Sequence, residues 1–130
     1  DLDLALLHIV GTPGGGDLPD DLGLSVLPIG DSARVQIGDP ISVLGYPGLG
    51  GDTLTVTRGS VAGFLPGWFK TDAETNQGNS GGAAVNAAGE LIGVPTAGYS
   101  EVGDSEHMPG KIGLIRPINQ ARPLLEKIKR

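Results

Sequence analysis

The chain has 130 residues and no cysteine, which excludes disulfide bonds, zinc–thiolate sites and thiol catalysis. Its formal net charge of -6 argues against nucleic acid or an anionic membrane surface as a partner. The length suits one domain, and with only 4% aromatic residues its core must be built from Val, Leu and Ile.

The chain opens with an apolar segment, residues 2–10, whose Leu, Ile and Val content predicts a buried strand. Residues 11–23 are rich in Gly, Pro and Asp, which is typical of a linker. Residues 86–89 predict a hairpin turn, and residues 46–52 and 97–110 predict two long loops. Further strand candidates, separated by Gly and Pro at hairpin spacing, are residues 24–28, 41–46, 53–64, 67–71, 83–86, 90–95 and 111–116.

The C-terminus differs from the rest because its apolar residues recur at helical spacing. These residues are Ile118, Ala121, Leu124, Leu125 and Ile128. Asn119 is a candidate N-cap, and Pro123 is tolerated only near the first turn, so we expect the helix to begin around residue 121. Many strands and one terminal helix predict an all-β barrel, with Leu124, Leu125 and Ile128 buried against it.

Residues 76–82 read Asn-Gln-Gly-Asn-Ser-Gly-Gly and contain the strongest functional pattern in the chain. A serine without bulky neighbours can expose its hydroxyl while nearby amides turn toward one point, as acyl transfer requires. Ser80 is therefore the candidate nucleophile. The N–H groups of Gly78 and Ser80, with Asn79 between them, are the candidate oxyanion hole. The alternative is a Gly-rich turn that happens to contain a serine.

The flanking sequence extends this pattern. Residues 71–86, followed by Gly-Glu-Leu-Ile-Gly-Val at 89–94, resemble the nucleophile region of trypsin-like serine proteases of the HtrA (Deg) branch. That region reads T-D-A-x-x-N-x-G-N-S-G-G-P-L-V-N and then G-x-x-I-G-I. Ala83 stands where the family usually has proline. Similarity continues in order over most of the chain, at residues 3–9, 27–32, 35–47, 55–63 and 112–119. The last of these segments resembles the family's close, G-x-G-F-A-I-P-I-N.

The resemblance implies a fold and a domain division. Residues 21–130 would form the second six-stranded Greek-key barrel of the trypsin-like two-barrel fold, with a C-terminal helix. Residues 1–20 would hold the last strand of the first barrel and the linker between the barrels. Asp3, with Asp1 as its competitor, matches the catalytic aspartate.

The family order is histidine, aspartate, serine, and no histidine precedes Asp3 in this chain. Neither His8 nor His107 matches the family position. We therefore expect the C-terminal half of a serine endopeptidase that cleaves polypeptides, inactive by itself and partnered by the missing N-terminal barrel. The alternative is a non-catalytic peptide-binding or scaffold domain on the same barrel. A histidine encoded upstream would discriminate between the two.

The resemblance also implies substrate contacts. Val94, Pro95, Thr96 and Ala97 match the strand edge on which the family lays its substrate, although Pro95 lacks an N–H. Glu74, six residues before Ser80, matches the base of the pocket for the residue preceding the scissile bond. An acid there would favour Lys or Arg, although loops in this branch can turn that side chain outward.

No cofactor or metal is implied. His107 has acidic neighbours in Glu101, Asp104 and Glu106, but their spacing matches no metal template and a solvated loop is the favoured interpretation. The family resemblance favours a location outside the cytoplasm, periplasmic or secreted, with an upstream membrane tether as a further option. Residues 1–20, without sheet neighbours, are expected to be rearranged, swapped onto another molecule or docked on the exposed seam. Self-association and displacement of Asp3 would follow.

Overall fold

The computed structural model describes residues 2–47, 53–76, 78–96 and 112–128. A short 3-10 helix, Ser32–Arg34, precedes the strands, and a second, Ile118–Ala121, leads directly into helix α1, Arg122–Ile128. The six strands are β1 Pro40–Gly45, β2 Thr55–Leu65, β3 Trp68–Thr71, β4 Ala83–Asn86, β5 Leu91–Thr96 and β6 Gly113–Pro117.

The six strands close into one antiparallel barrel in the order β1-β2-β3-β6-β5-β4. Strand β4 returns to pair with β1, and β3 pairs with β6, which is the crossover of a Greek-key arrangement. Closure leaves no free edge in this sheet. The predicted all-β six-stranded barrel with a C-terminal helix is confirmed.

The barrel interior is filled by side chains that alternate along the strands. In β1 every second residue is buried, and Val43 is 0% exposed. The core cluster is aliphatic apart from one phenylalanine, as the composition predicts; it consists of Ile41, Val43, Phe69, Ala73, Ala84, Ile92 and Ile115.

Two predicted strands are absent. Residues 2–10 form no strand and are mostly exposed, so the prediction of a buried strand there is wrong for this structure. Residues 24–28 form none either, and only one parallel bridge, between Ile29 and Leu91, touches the sheet nearby. A strand needs a partner, and apart from the bridge at Leu91 the strands of the closed barrel are already paired on both sides, so neither segment has a strand to extend along.

The predicted hairpin turn between β4 and β5 is confirmed. The Asn86 side-chain oxygen accepts hydrogen bonds from the N–H groups of Ala88 at 3.0 Å and Glu90 at 2.9 Å. Gly89 has a positive φ of 80°, a conformation that favours glycine. These contacts fix the register that aligns β4 with β5.

The C-terminal helix begins near the expected residue but packs differently. Asn119 is not its N-cap; it lies inside the 3-10 helix Ile118–Ala121. No residue of α1 is fully buried: Leu124 and Leu125 are half-buried, and Ile128 is 48% exposed. The prediction that all three are buried is therefore wrong. In the part of the chain that the structure describes, no helix has the length and apolarity needed to cross a bilayer.

Candidate active site

The turn that carries Ser80 lies just before β4 and is held from two sides. The Gly81 N–H donates to the carbonyl of Pro95 in β5 at 3.0 Å, and the Tyr46 N–H donates to the carbonyl of Gly78 at 3.3 Å. Within the turn, the Asn79 N–H donates to the Asn76 carbonyl at 3.0 Å. Ser80 itself is exposed. The sequence thus folds into a braced turn that presents the serine hydroxyl to solvent.

Gly78 is required by the geometry of this turn. Its φ is 102°, and a Cβ at this position would collide with the Tyr46 carbonyl and with Pro47 Cα. Only glycine combines this conformation with so close an approach of two backbones. The close approach packs the turn before Ser80 against the backbone at Tyr46 and Pro47.

Two amides of the turn are unused. Within the described residues, the N–H groups of Gly78 and Ser80 donate to no protein acceptor. The Asn79 N–H between them is occupied by Asn76. Amides without acceptors are what an oxyanion hole requires, and these two meet that requirement.

Asn79 has a structural role beyond its place in the turn. It is 2% exposed, and a Cβ on Gly45 would lie 2.6 Å from its side-chain oxygen, so β1 leaves just enough room for the amide. That oxygen is buried without a hydrogen-bond partner in the described residues. Asn79 therefore packs the turn that carries Ser80 against the end of β1.

A cleft of about 610 Å³ adjoins Ser80. Its wall is partly the outer face of β5 and β6 and partly residues near the N-terminus. The lining residues include four of the predicted site residues, Asp3, Val94, Pro95 and Thr96, together with Ser80. The structure therefore brings Ser80 and Asp3 to one cleft, although 77 positions separate them in the sequence. Asp3 has a positive φ of 49°, an uncommon conformation that Asp tolerates better than most residues.

Pro95 offers no hydrogen bond to a strand laid along β5. It has no N–H, and its carbonyl already accepts from Gly81. Its ring is buried opposite Ile115 of β6. In a strand, the nitrogen and the carbonyl of one residue point to the same side. The Pro95 nitrogen therefore faces Gly81, like its carbonyl, and the sheet loses no hydrogen bond between paired strands because the N–H is absent.

The structure does not bring every predicted residue to Ser80. Glu74 is exposed, its carboxylate accepts a hydrogen bond from the Asn76 side chain at 3.1 Å, and it does not line the cleft. His8 is exposed and does not line the cleft either. Asp1, Ala97, His107 and the acidic residues near His107 lie outside the described residues.

Trp68 and Arg116 are lining residues that the sequence analysis did not single out. The guanidinium carbon of Arg116 lies 3.3 Å from the centroid of the Trp68 ring, and both residues line the cleft with Ser80. The sequence does distinguish Arg116, because this residue occupies the position at which the family pattern G-x-G-F-A-I-P-I-N has isoleucine. A charged residue at an apolar position of a family pattern marks a feature particular to this chain.

A closed six-stranded antiparallel barrel with a terminal helix, carrying a G-N-S-G-G turn beside a cleft, defines the class of trypsin-like β-barrels. The comparisons agree: residues 1–94 match the family described as "Trypsin-like peptidase domain". The chain belongs to this family of serine proteases, in its HtrA (Deg) branch.

Relatives and solved structures support the same assignment. The chain is 34% identical over 135 residues to the serine endoprotease DegS of Escherichia coli (strain K12), covering 98% of this chain and 35% of that protein. It is 37% identical over 115 residues to the periplasmic pH-dependent serine endoprotease DegQ of the same strain, covering 81% of this chain and 24% of that protein.

Among solved structures, a serine endoprotease from Yersinia pestis matches with a TM-score of 0.67 and 36% identity, covering 84% of this chain and 37% of that one. The HtrA-type protease AlgW with tripeptide matches with a TM-score of 0.67 and 34% identity, covering 85% of this chain and 38% of that one. The chain thus spans about a third of the length of the first relatives it matches.

Proposed function

We propose that this chain is the part of a serine endopeptidase that carries the nucleophile, Ser80, and the oxyanion hole. The observation that supports the proposal is the site geometry. An exposed Ser80 shares a cleft with Asp3 and strand β5, and the amides of Gly78 and Ser80 have no protein acceptor among the described residues. These are the parts that acyl transfer to a serine uses.

In the proposed reaction, Ser80 Oγ attacks the carbonyl carbon of the scissile peptide bond. Its proton passes to a histidine supplied from outside these 130 residues, and Asp3 orients that histidine and offsets its charge. The amides of Gly78 and Ser80 donate to the oxygen that becomes negative. The histidine then protonates the leaving amine, and water releases the acyl group from Ser80 Oγ by the same path.

We also propose that the chain by itself does not hydrolyse peptides. Loss of the base of a catalytic triad lowers kcat by about a million-fold, and His8 is not at the cleft. The test compares the chain alone with the chain supplied with the first barrel of its parent protein. We expect peptide hydrolysis only in the second case.

Three variants make this test specific. Ser80→Ala in the complemented protein should abolish hydrolysis, whereas Ser25→Ala, an exposed serine outside the cleft, should not. Asp3→Asn should lower kcat by about ten-thousand-fold if Asp3 orients the histidine. A burst of product from an activated ester with the chain alone, lost in Ser80→Ala, would disprove the proposed inactivity. Full activity of the complemented Ser80→Ala variant would disprove the role of Ser80.

Polypeptide is the proposed substrate class, because the relatives are named as endoproteases. We infer a location outside the cytoplasm from relatives named as periplasmic, including DegQ of Escherichia coli. Protease protection in fractionated cells that express the full-length parent tests this location. Digestion of the protein by protease added to intact spheroplasts is the expected result.

A further inference from the structure

We propose that Trp68 and Arg116 form a carboxylate-binding subsite in the cleft beside Ser80. The subsite would take an acidic side chain or the C-terminal carboxylate of a bound peptide. This inference rests on the proposed function, because it assigns a ligand class to the same cleft. It makes the cleft selective for anionic peptides.

The barrel register places the two residues together. In the pairing of β3 with β6, Phe69 lies opposite Ile115, so the preceding residue of β3, Trp68, lies opposite the following residue of β6, Arg116. Phe69 and Ile115 point into the core, where both are buried. Their neighbours therefore project from the outer face. Val94 of β5 pairs with Arg116, which continues the row toward the strand that leads to Ser80.

The guanidinium of Arg116 is held in place but is not neutralised. Its face stacks on the Trp68 ring, with 3.3 Å from the guanidinium carbon to the ring centroid. Its Nη1 donates to the Gly67 carbonyl at 3.3 Å and to Gln120 Oε1 at 3.5 Å. Both acceptors are neutral. They orient the group without cancelling its charge.

The remaining donors of Arg116 are unpartnered. Nε is buried and donates to no acceptor in the described residues, and no hydrogen bond there involves Nη2. Arg116 also forms no ion pair with the described carboxylates. A desolvated donor without an acceptor is unfavourable, and a ligand that accepts from it recovers that free energy. The missing partner is therefore an acceptor, and an anionic one matches the charge.

Carboxylate is the ligand class that this arrangement fits best. A guanidinium whose face is stacked on an aromatic ring keeps its edge for hydrogen bonds in the plane, and carboxylates match that edge with two oxygens. Nη2 would donate to one oxygen, and Nε, which lies on the same edge of the guanidinium, is the donor for the other. Among the described residues, Asp3 is the carboxylate that lines the same cleft, but it is not paired with Arg116.

Fluorescence provides a direct test because Trp68 is the only tryptophan of the chain. Three pentapeptides are titrated against the Ser80→Ala variant, in which turnover cannot interfere. One has a central Glu and blocked ends, the second has Gln in its place, and the third has Gln and a free C-terminal carboxylate. We expect the Glu peptide or the free-carboxylate peptide to bind about tenfold more tightly than the blocked Gln peptide, with a change in Trp68 emission. Which of the two is preferred identifies the source of the carboxylate.

Variants of Arg116 test whether its guanidinium causes the preference for peptides that carry a carboxylate. Arg116→Gln should remove the preference, whereas Arg58→Gln, an exposed arginine on β2 outside the cleft, should keep it. Arg116→Lys keeps the charge without the planar edge and should reduce the preference severalfold. If a substitution at Arg116 alters the Trp68 fluorescence of the protein without peptide, calorimetric titration measures the peptide affinity instead.

The outcomes are distinct from those of the hydrolysis test. Equal affinity for all three peptides, absence of binding, or an undiminished preference in Arg116→Gln would overturn the subsite. If Arg116→Gln shows no cooperative unfolding transition in urea, Arg116→Lys decides, and an undiminished preference there overturns it. Because binding is measured in a variant that lacks Ser80 Oγ, failure of the subsite would not bear on the role of Ser80, which the hydrolysis experiment tests separately.

Discussion

Ser32 and Asn119 exchange two hydrogen bonds across 87 positions of the sequence. The Ser32 N–H donates to Asn119 Oδ1 at 3.2 Å, and the Asn119 N–H donates to Ser32 Oγ at 3.0 Å. The Asn119 side-chain amide also donates to Asp31 Oδ1 at 2.7 Å. These bonds join the 3-10 helix before β1 to the 3-10 helix after β6. They therefore connect the chain segment that leads into the barrel to the chain segment that follows it.

Breaking this pair should destabilise the whole barrel. Each of Ser32→Ala and Asn119→Ala leaves a backbone N–H without its acceptor, and the loss should be about 1–3 kcal/mol in each case. The double variant should lose less than the sum of the two single variants, since either substitution already lets the two backbone segments separate and so weakens the bond that remains. Urea unfolding of the four proteins measures the coupling. Strict additivity of the two losses would show that the pair does not act as a unit.

The stability should also depend on acid pH through Asp31 and Asp72. The Asn119 amide, followed by the Ala33 N–H, lowers the pKa of Asp31, and the Ser60 N–H at 2.6 Å lowers the pKa of Asp72. A carboxyl whose folded pKa lies below its unfolded pKa contributes stability above the unfolded pKa, and the contribution disappears as pH falls through the folded pKa.

We therefore expect unfolding midpoints in urea to fall as the pH drops below about 4, the usual range of an unfolded aspartate. Asp72→Asn and Asp31→Asn should each flatten this dependence. Asp20→Asn, which changes an exposed residue without a hydrogen bond in the described chain, should leave the profile unchanged. A profile that is equally steep in all three variants would contradict the assignment.

The Ser32–Asn119 pair also shows the limit of sequence reasoning. Asn119 before an apolar helical pattern predicts an N-cap, because local spacing is all that such a pattern contains. The structure gives the same side chain a partner 87 residues away. The helix itself could be predicted from its period, whereas the contact depends on how the barrel closes.

The strands illustrate the same division. Six of the predicted strands match because each carries apolar residues between Gly and Pro, and the barrel supplies each with two neighbours. Residues 24–28 have an equally apolar composition but no edge to join.

Near Ser80 the motif predicts the Gly78 turn, since the backbone geometry there depends on the glycines themselves. The stacking of Arg116 on Trp68 requires the β3–β6 register, which no single segment contains.

Gly78 and Gly81 are a matched pair for testing the turn that carries Ser80. Both have positive φ, 102° and 81°, but a Cβ on Gly78 would strike the Tyr46 carbonyl whereas a Cβ on Gly81 would meet nothing within 4 Å. Gly81→Ala should cost about 1 kcal/mol from backbone strain alone. Gly78→Ala should cost more than about 2 kcal/mol, because two backbones must separate. Urea titrations compare the two; equal losses would show that the Tyr46 contact is not limiting.

The exposed side of helix α1 should tolerate substitution. Ile128 is 48% exposed, whereas Leu124 is half-buried. Ile128→Ala should change the free energy of unfolding by less than about 0.5 kcal/mol. Leu124→Ala should cost about 1–2 kcal/mol, below the range for fully buried leucine because part of its surface stays in water. A loss of more than about 2 kcal/mol from Ile128→Ala would mean that this face of α1 is covered in solution.

Exposed apolar residues that precede the barrel should make the isolated chain self-associate. Leu7, Val10 and Val26 are 89%, 82% and 86% exposed, and no strand of the barrel covers them. Apolar surface of this kind is buried when copies associate. Sedimentation velocity should show the average mass rising with concentration, and combined Leu7→Ser, Val10→Thr and Val26→Thr changes should suppress the rise. Val56→Thr, which changes a half-exposed valine on β2, is the control and should not. If the chain stays monomeric at every concentration and Asp3 is ordered beside Ser80, the apolar side chains of residues 2–10 are buried in the cleft of their own molecule, and the prediction of self-association is wrong.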